Sequence, residues 1–282
     1  MVYEILTFFL PLLMIVLWGM PHGAFDLILL SEYKTAFDKK LFFSPALFYL
    51  GYIAVAVLAF IGWQLSPTLA FILFLVITVP HFGRADLHHI KFQCANKIEQ
   101  IAFVTIHGGI ALISIYYFSR DTHLFLNLLD VRAEVIENLF FILLVIGCLL
   151  IPSYVSVLFK NKKIYPMLEI SMIALMSYLL SSLWALSLYF CFIHSRKHYQ
   201  KISMSLTRLD KKIIQTVLSL MVFVVLAIIG LATFQISEIA LHEATFRSVI
   251  AVLFSLTIPH MLLVDVTLPR ISSQWYLGSK HA

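Results

Sequence analysis

The sequence predicts an all-α, polytopic integral membrane protein, and its composition is the first reason. Of its 282 residues, 61% are hydrophobic and 12% are charged, whereas a soluble domain has about 45–50% apolar and about 25% charged residues. The mean hydropathy is +0.94. The second reason is that the apolar runs are continuous rather than alternating, which is typical of membrane helices and not of a membrane β-barrel.

The apolar runs predict a bundle of about eight transmembrane helices, within a range of seven to nine. Crossing a hydrocarbon layer of about 30 Å takes roughly 20 mainly apolar residues. Only Gln64 to Ser66 separate the second run from the third, so these two should form a tight hairpin. The sixth run is long enough to be tilted, broken or two shorter pieces. The predicted spans are 5–30, 44–63, 67–90, 98–118, 135–159, 165–198, 212–234 and 246–268.

The hydrophilic stretches, the net charge, the cysteines and the N-terminal residues limit the class of protein further. No hydrophilic stretch is long enough to fold separately, so residues 1–282 are predicted to form a single transmembrane domain. The formal net charge of +5 comes from basic residues in short loops, which does not indicate nucleic-acid binding. The three cysteines are far apart and predict neither a disulfide framework nor a zinc site. The N-terminus lacks a basic region and a cleavage site, so we expect the first span to be retained.

Three short blocks place a histidine directly after a proline, each following an apolar run. Proline removes a backbone donor and kinks a helix, which redirects the next side chain. An acidic residue about one turn further on lies roughly on the same face. Its carboxylate could accept a hydrogen bond from an imidazole, either its neighbour's or another's, as carboxylates do around metal sites. The blocks are Pro21-His22 with Asp26, Pro80-His81 with Asp86, and Pro259-His260 with Asp265.

Other histidines strengthen the prediction of a metal site. His194 and His198 are four residues apart in CFIHSRKHYQ, so on a helix both imidazoles project from one face, an arrangement common among metal ligands. His107 lies in another span and precedes Gly108 and Gly109, which permit close backbone approach. A single histidine in a span is often a packing residue, but the set together predicts a functional site inside the bundle. Imidazole ligands suit zinc, copper, iron or nickel.

In this order and at these distances, the blocks PHGAFD, HFGRAD, HGG and HSRKH resemble those of the Brp/Blh family of membrane β-carotene 15,15′-dioxygenases. The resemblance covers essentially the whole chain. It implies a non-haem Fe(II) enzyme that cleaves the central double bond of β-carotene with O₂ to give two retinal molecules. It also implies a multi-pass protein of a bacterial or archaeal cell membrane that takes its substrate from the lipid bilayer and supplies retinal to a rhodopsin.

The resemblance also implies the iron ligands, which are His22, His81, His194 and His198. Four neutral imidazoles would leave up to two open positions on the iron for O₂. Arg196 and Lys197 lie between two of these ligands, and their roles stay open. The resemblance implies no catalytic residue beyond the metal ligands.

Five further residues are predicted to surround the ligands rather than to bind iron. His107 and His260 sit in family-like blocks and are expected to contact the ligands or the substrate pocket. Asp26, Asp86 and Asp265 are expected to orient ligand imidazoles through hydrogen bonds.

Other functions remain open at this point. A membrane di-iron desaturase or hydroxylase also uses H-x-x-x-H, although such enzymes carry several histidine boxes and this chain has one such pair. A metal or proton transporter could use the same intramembrane His and Asp residues as a pathway. A bis-histidine haem protein is a third alternative.

Overall fold

The chain consists of helices joined by short connections in the part that the computed structural model describes, which comprises residues 4–25, 45–205 and 211–267. These ranges contain no strand, which confirms the all-α prediction. The helices in chain order are α1 (Ile5–Gly19, followed by Pro21–Ala24), α2 (Pro45–Leu65), α3 (Pro67–Ile90), α4 (Lys97–Phe118), α5 (Thr122–Leu128), α6 (Ala133–Asn161), α7 (Tyr165–Leu179), α8 (Ser182–Leu188, Tyr189–His194 and Ser195–Ser205), α9 (Lys211–Gln235) and α10 (Leu241–Met261, continued by Leu262–Thr267).

Length and composition support the membrane prediction. Within the described residues, five helical stretches are long and apolar enough to cross a membrane, and three shorter apolar stretches accompany them. The five are Pro67–Ile90, Lys97–Phe118, Ala133–Asn161, Ile214–Gln235 and Leu241–Val266, and the three are Ile5–Gly19, Leu50–Leu65 and Tyr165–Leu179. Large apolar side chains such as Leu58, Phe159 and Phe223 are exposed on the outer faces, as expected for residues that meet lipid.

The predicted span 165–198 is not one helix. Leu180 and Ser181 have extended backbones, with ψ of 165° and 158°, and they separate α7 from α8. Ser119 Oγ donates to the carbonyl of Ser177, and the amide of Ser182 donates to Asp121 Oδ1, so both sides of the break lie beside the α4–α5 connection. The chain reverses direction here, and α7 and α8 become antiparallel neighbours.

Hydrogen bonds show which connections share an end of the bundle. The amide of Gln93 donates to Asn161 Oδ1, which brings the α3–α4 connection to the end of α6; we call this the 91/161 end. At the opposite end, the amide of Arg132 donates to Thr68 Oγ1, close to the α4–α5 connection and the break before α8. We call this the 121/182 end.

α1 runs parallel to α8. Trp184 Nε1 donates to the carbonyl of Leu6, and Tyr199 Oη donates to the carbonyl of Trp18, so the two helices remain side by side over most of their length. The turn that follows Gly19 therefore lies at the same depth in the bundle as the second half of α8.

The crossing of α3 and α4 depends on two glycines. A Cβ on Gly108 would lie 1.7 Å from the carbonyl oxygen of Val79, and a Cβ on Gly83 would lie 2.0 Å from that of Val104. The two main chains are therefore in contact, which confirms the close approach expected at the H-G-G block. This contact holds the histidine-bearing parts of both helices together.

Candidate metal centre

Four histidines meet inside the bundle. The ring centroids of His81 and His194 are 5.3 Å apart, those of His81 and His260 are 5.2 Å apart, and those of His198 and His260 are 5.3 Å apart. All four side chains are buried. His260, expected at the edge of the site, contacts two of the predicted ligands. We call these four residues the histidine cluster.

Helices α1, α8 and α10 leave the regular α-helical path beside the histidine cluster. Ile15–Gly19 in α1, Tyr189–His194 in α8 and Leu262–Thr267 at the end of α10 are π-helical. A π-turn inserts an extra residue and changes the direction of the side chains that follow, and such turns are frequent at functional sites. Pro21 and Pro259 adjoin two of these segments, where their missing N–H groups fit the altered hydrogen bonding.

Asp265 orients one imidazole of the histidine cluster. Its Oδ2 lies 2.8 Å from Nδ1 of His81. In the tautomer that donates this hydrogen bond, Nε2 of His81 keeps the lone pair that a metal requires. Asp265 was predicted as an orienting residue, and it serves the histidine of another block rather than its own neighbour His260.

Aromatic side chains hold the ring of His194. The ring of Phe82 has its centroid 4.2 Å from that of His194. Phe190 lies parallel to the same imidazole, with an interplanar angle of 11° and a centroid distance of 5.9 Å. These contacts restrict rotation of His194 and surround the histidine cluster with apolar groups on this side.

The first histidine block is only partly described. Asp26 and the side chain of His22 lie outside the described residues. The main chain of Gly23 runs beside the histidine cluster, because a Cβ on Gly23 would lie 3.9 Å from Nδ1 of His260. The last turn of α1 therefore reaches the histidine cluster.

Two predicted surrounding residues, Asp86 and His107, form a second polar cluster. Asp86 Oδ2 is 3.2 Å from Nδ1 of His107, and Nε2 of His107 is 2.9 Å from the hydroxyl oxygen of Tyr154. Lys197 Nζ donates to Asp86 Oδ1 at 2.8 Å and also forms an ion pair with Glu169. We call these five residues the Lys197 cluster. Lys197, whose role the sequence left open, thus forms ion pairs inside the bundle. The side chain of Arg196 is exposed.

The Lys197 cluster has the residue types of a metal site, but its positive and negative charges already compensate one another. Ligand atoms of Asp86, His107 and Glu169 lie within 4.8 Å of one another, close enough to hold an ion. The ammonium group of Lys197 supplies positive charge to both carboxylates. A metal ion would have to displace that ammonium group, so the cluster acts as a buried ion pair that joins α3, α4, α7 and α8.

Sequence reasoning missed Glu169 and Tyr154 in the Lys197 cluster, and Thr78 beside the histidine cluster. Glu169 had a usable signal, because a lone acid inside an apolar span is costly and requires a partner. Thr78, one turn before His81, gave no such signal. Its hydroxyl is fully buried and has no hydrogen-bond partner among the described residues.

Two apolar cavities meet at His260. The inner cavity lies between α3, α4, α8 and α10, and its lining includes three members of the histidine cluster, His81, His194 and His260. The outer cavity lies between α1, α2, α9 and α10. The arrangement could hold a long apolar molecule beside a group of nitrogen ligands.

Comparisons with known proteins agree with the sequence resemblance. A family model described as Beta-carotene 15,15′-dioxygenase matches residues 13–267. A curated protein from uncultured marine bacterium 66A03, named Beta-carotene 15,15′-dioxygenase, is 24% identical over 258 residues, which is 90% of this chain and 91% of that protein. No solved structure matches. The matched region includes the whole histidine cluster.

Proposed function

Because the chain belongs to the Beta-carotene 15,15′-dioxygenase family, and is thus a carotenoid-cleaving dioxygenase, we propose that it cleaves the central double bond of β-carotene with O₂ to give two molecules of retinal. The observation that carries the proposal is the convergence of four buried histidines where two apolar cavities meet. In this reaction one carbon–carbon double bond breaks and each carbon receives one oxygen atom of O₂. No proton is consumed, so the site needs no acid–base pair.

Fe(II) is the cofactor in this proposal, and the spacing of the histidine cluster suits a metal. Imidazole nitrogens bind a metal at about 2.0–2.1 Å, so the rings of ligand histidines must lie close together around one point. The observed distances between contacting rings are 5.2 to 5.3 Å. When bound, iron would supply the redox chemistry that activates O₂.

The proposed ligands are His22, His81, His194 and His198, and we add His260 to the set. The ring of His260 contacts both His81 and His198, so a metal held by those two would lie beside it. His22 comes directly before Gly23, whose main chain adjoins His260.

The surrounding residues have separate tasks in this proposal. Asp265 holds His81 in one tautomer, and Phe82 and Phe190 hold the ring of His194. Apolar walls exclude water and favour a hydrocarbon substrate. Asp86 acts at a distance, because its contacts are to His107 and Lys197.

The membrane setting completes the proposal. Residues 1–282 would form one transmembrane domain of about eight spans, or nine if α7 and α8 each cross, in the cell membrane of a bacterium or archaeon. β-Carotene would come from the lipid bilayer, and retinal would pass to a rhodopsin.

The alternative functions have less support. A di-iron enzyme would need a second metal site, and the Lys197 cluster, which has suitable ligands, contains an ammonium group in contact with both of its carboxylates. A transporter would not be expected to match a dioxygenase family over residues 13–267. A metal count of two irons per chain would favour the di-iron enzyme.

The test is expression in a bacterial host that accumulates β-carotene, followed by chromatography of the pigments and measurement of iron in the purified protein. We expect retinal from the wild type, and loss of both retinal and iron in alanine variants of the proposed ligands. His242→Ala is the matched control, because His242 is partly exposed, lies at the 121/182 end and pairs with Glu4. The variants are His22→Ala, His81→Ala, His194→Ala, His198→Ala and His260→Ala.

Each outcome bears on a different part of the proposal. If a variant keeps its iron, the histidine that it replaces is not an iron ligand. An apocarotenal product of another length would preserve the enzyme class and move the cleavage position. Unchanged β-carotene beside iron-loaded wild-type protein would refute the proposed substrate.

A further inference from the structure

The inner and outer cavities share one wall. Leu253, Thr257 and His260 line both of them, and their spacing of four and three residues places them on one face of α10. The wall ends at His260, which belongs to the histidine cluster. A molecule that passed from one cavity to the other along this wall would cross the cluster.

The inner cavity is lined by buried and partly buried residues. None of its lining residues, all within the described ranges, is exposed. It extends along α3 from Phe71 to His81, ten residues or about 15 Å of helix. Aromatic rings such as Phe74, Tyr116 and Phe254 form much of its wall. Its depth suits one half of a β-carotene molecule, from the central bond to the terminal ring.

The outer cavity opens towards lipid. Two of its lining residues, Ile53 on α2 and Phe223 on α9, are exposed on the outside of the bundle. Met221 and Val224 form part of the α9 wall of this cavity. Because the outer faces of α2 and α9 are apolar, a hydrocarbon could reach this opening without leaving the membrane.

We propose that β-carotene enters sideways from the membrane through the outer cavity, and that it lies with one half in the inner cavity, its centre at His260 and its other half in the outer cavity. The proposal rests on the function proposed above and adds the path and the placement of the substrate. Because the inner cavity extends about 15 Å along α3 from the histidine cluster, its depth sets the distance from the ring to the cleaved bond, which gives a physical reason for cleavage at the centre.

Val224→Trp tests the path, because the larger side chain would fill the outer cavity. Val222→Trp is the matched control, since Val222 is on the same helix, is exposed to lipid and does not line the cavity. We expect Val224→Trp to lower retinal formation from β-carotene at least tenfold and to reduce the β-carotene that copurifies, with unchanged iron per chain. An apocarotenal that keeps one intact half but lacks the other ring should be cleaved better than β-carotene by this variant.

The outcomes separate this proposal from the proposed function. Equal retinal formation and equal bound pigment in Val224→Trp and Val222→Trp would overturn the entry path. If Val224→Trp loses iron, the smaller change Met221→Phe on the same wall is tested in its place. Its retinal formation and bound pigment are then compared with those of Val222→Trp, and equal values would overturn the entry path. A wild-type chain that loads iron but makes no retinal would instead overturn the proposed function.

Discussion

Replacing Lys197 by methionine removes the cation from between two buried carboxylates. The side chain of Lys197 is 10% exposed, that of Asp86 is 5% exposed and that of Glu169 is 16% exposed. Methionine keeps most of the apolar stem, so the change mainly removes charge. Removing one partner of a buried ion pair costs about 3–5 kcal/mol, because the remaining charge is left uncompensated. We expect a loss of this size in the free energy of unfolding of Lys197→Met.

The assay is denaturant unfolding of the purified protein in a mild detergent, with iron per chain measured on the same samples. A triple variant, Lys197→Met with Asp86→Asn and Glu169→Gln, should recover much of the lost stability, because neutral groups can replace a buried ion pair at little cost. We also expect the single variant to lose iron, since the Lys197 cluster joins the helices that carry His81 and His194.

The control is a pair at the bundle surface. Asp130 is 60% exposed and pairs with Arg247. Its φ of 56° is one that asparagine also tolerates, so Asp130→Asn changes charge without new backbone strain. Exposed pairs contribute at most about 1 kcal/mol. The reasoning is refuted if Lys197→Met is no less stable than Asp130→Asn, or if the triple variant is no more stable than the single one.

Four further predictions concern single positions. Thr78→Val should unfold at the same or a higher temperature, because it removes a buried hydroxyl that has no partner among the described residues; a lower melting temperature would contradict this. Asp265→Asn should retain iron 10- to 100-fold less well against a chelator, as loss of an orienting carboxylate typically does, and equal retention would argue against that role. Gly108→Ala should destabilise the chain, because its Cβ would meet the carbonyl of Val79, whereas Gly147→Ala, with no atom within 4 Å of its Cβ, should be neutral or stabilising in thermal unfolding. Burial raises the pKa of the Cys94 thiol, so maleimide labelling at neutral pH should be slower than for a free cysteine and should accelerate as the pH rises.

The residues that meet in the histidine cluster could be predicted because each carries its own local signal. Proline before histidine is visible in the sequence, and the four-residue spacing of His194 and His198 places both on one helix face. The signals predict which side chains point inwards, and the structure brings His81 and His260 into contact with that pair.

The choice of partners could not be predicted, because it depends on which helices are neighbours. Asp86 follows His81 by five residues on the same helix, yet it pairs with His107 and Lys197 across the α3–α4 and α3–α8 contacts. Asp265 likewise pairs across helices with His81. Local spacing indicates that a carboxylate is available, but tertiary packing decides which donor it meets.

The end of α7 could not be predicted for a different reason. The residues around Leu180 and Ser181 read YLLSSLW, an apolar stretch without proline or glycine, so no strong breaking signal is present. The break is held by hydrogen bonds from elsewhere in the chain, in which Asp121 accepts from the amide and the hydroxyl of Ser182.

This break also bears on the expected orientation of the molecule in the membrane. Because α7 and α8 are antiparallel, the end of α8 and the start of α9 lie at the 91/161 end. Among the described residues, the basic residues at the 121/182 end are Arg120, Arg132 and Arg247. The half of the bundle towards the 91/161 end has Arg84, Lys91, Lys97, Lys160, Lys162, Lys163, Arg196, Lys197, Lys201, Lys211 and Lys212. Excess Lys and Arg favour the cytoplasmic side.

We therefore expect the 91/161 end to face the cytoplasm and the start of α1 to face outwards. His81 lies nine residues before the end of α3, about 14 Å along the helix from the cytoplasmic end. Iron would then have a short path to the histidine cluster from the compartment in which reductants keep thiols reduced and metals in their lower oxidation state.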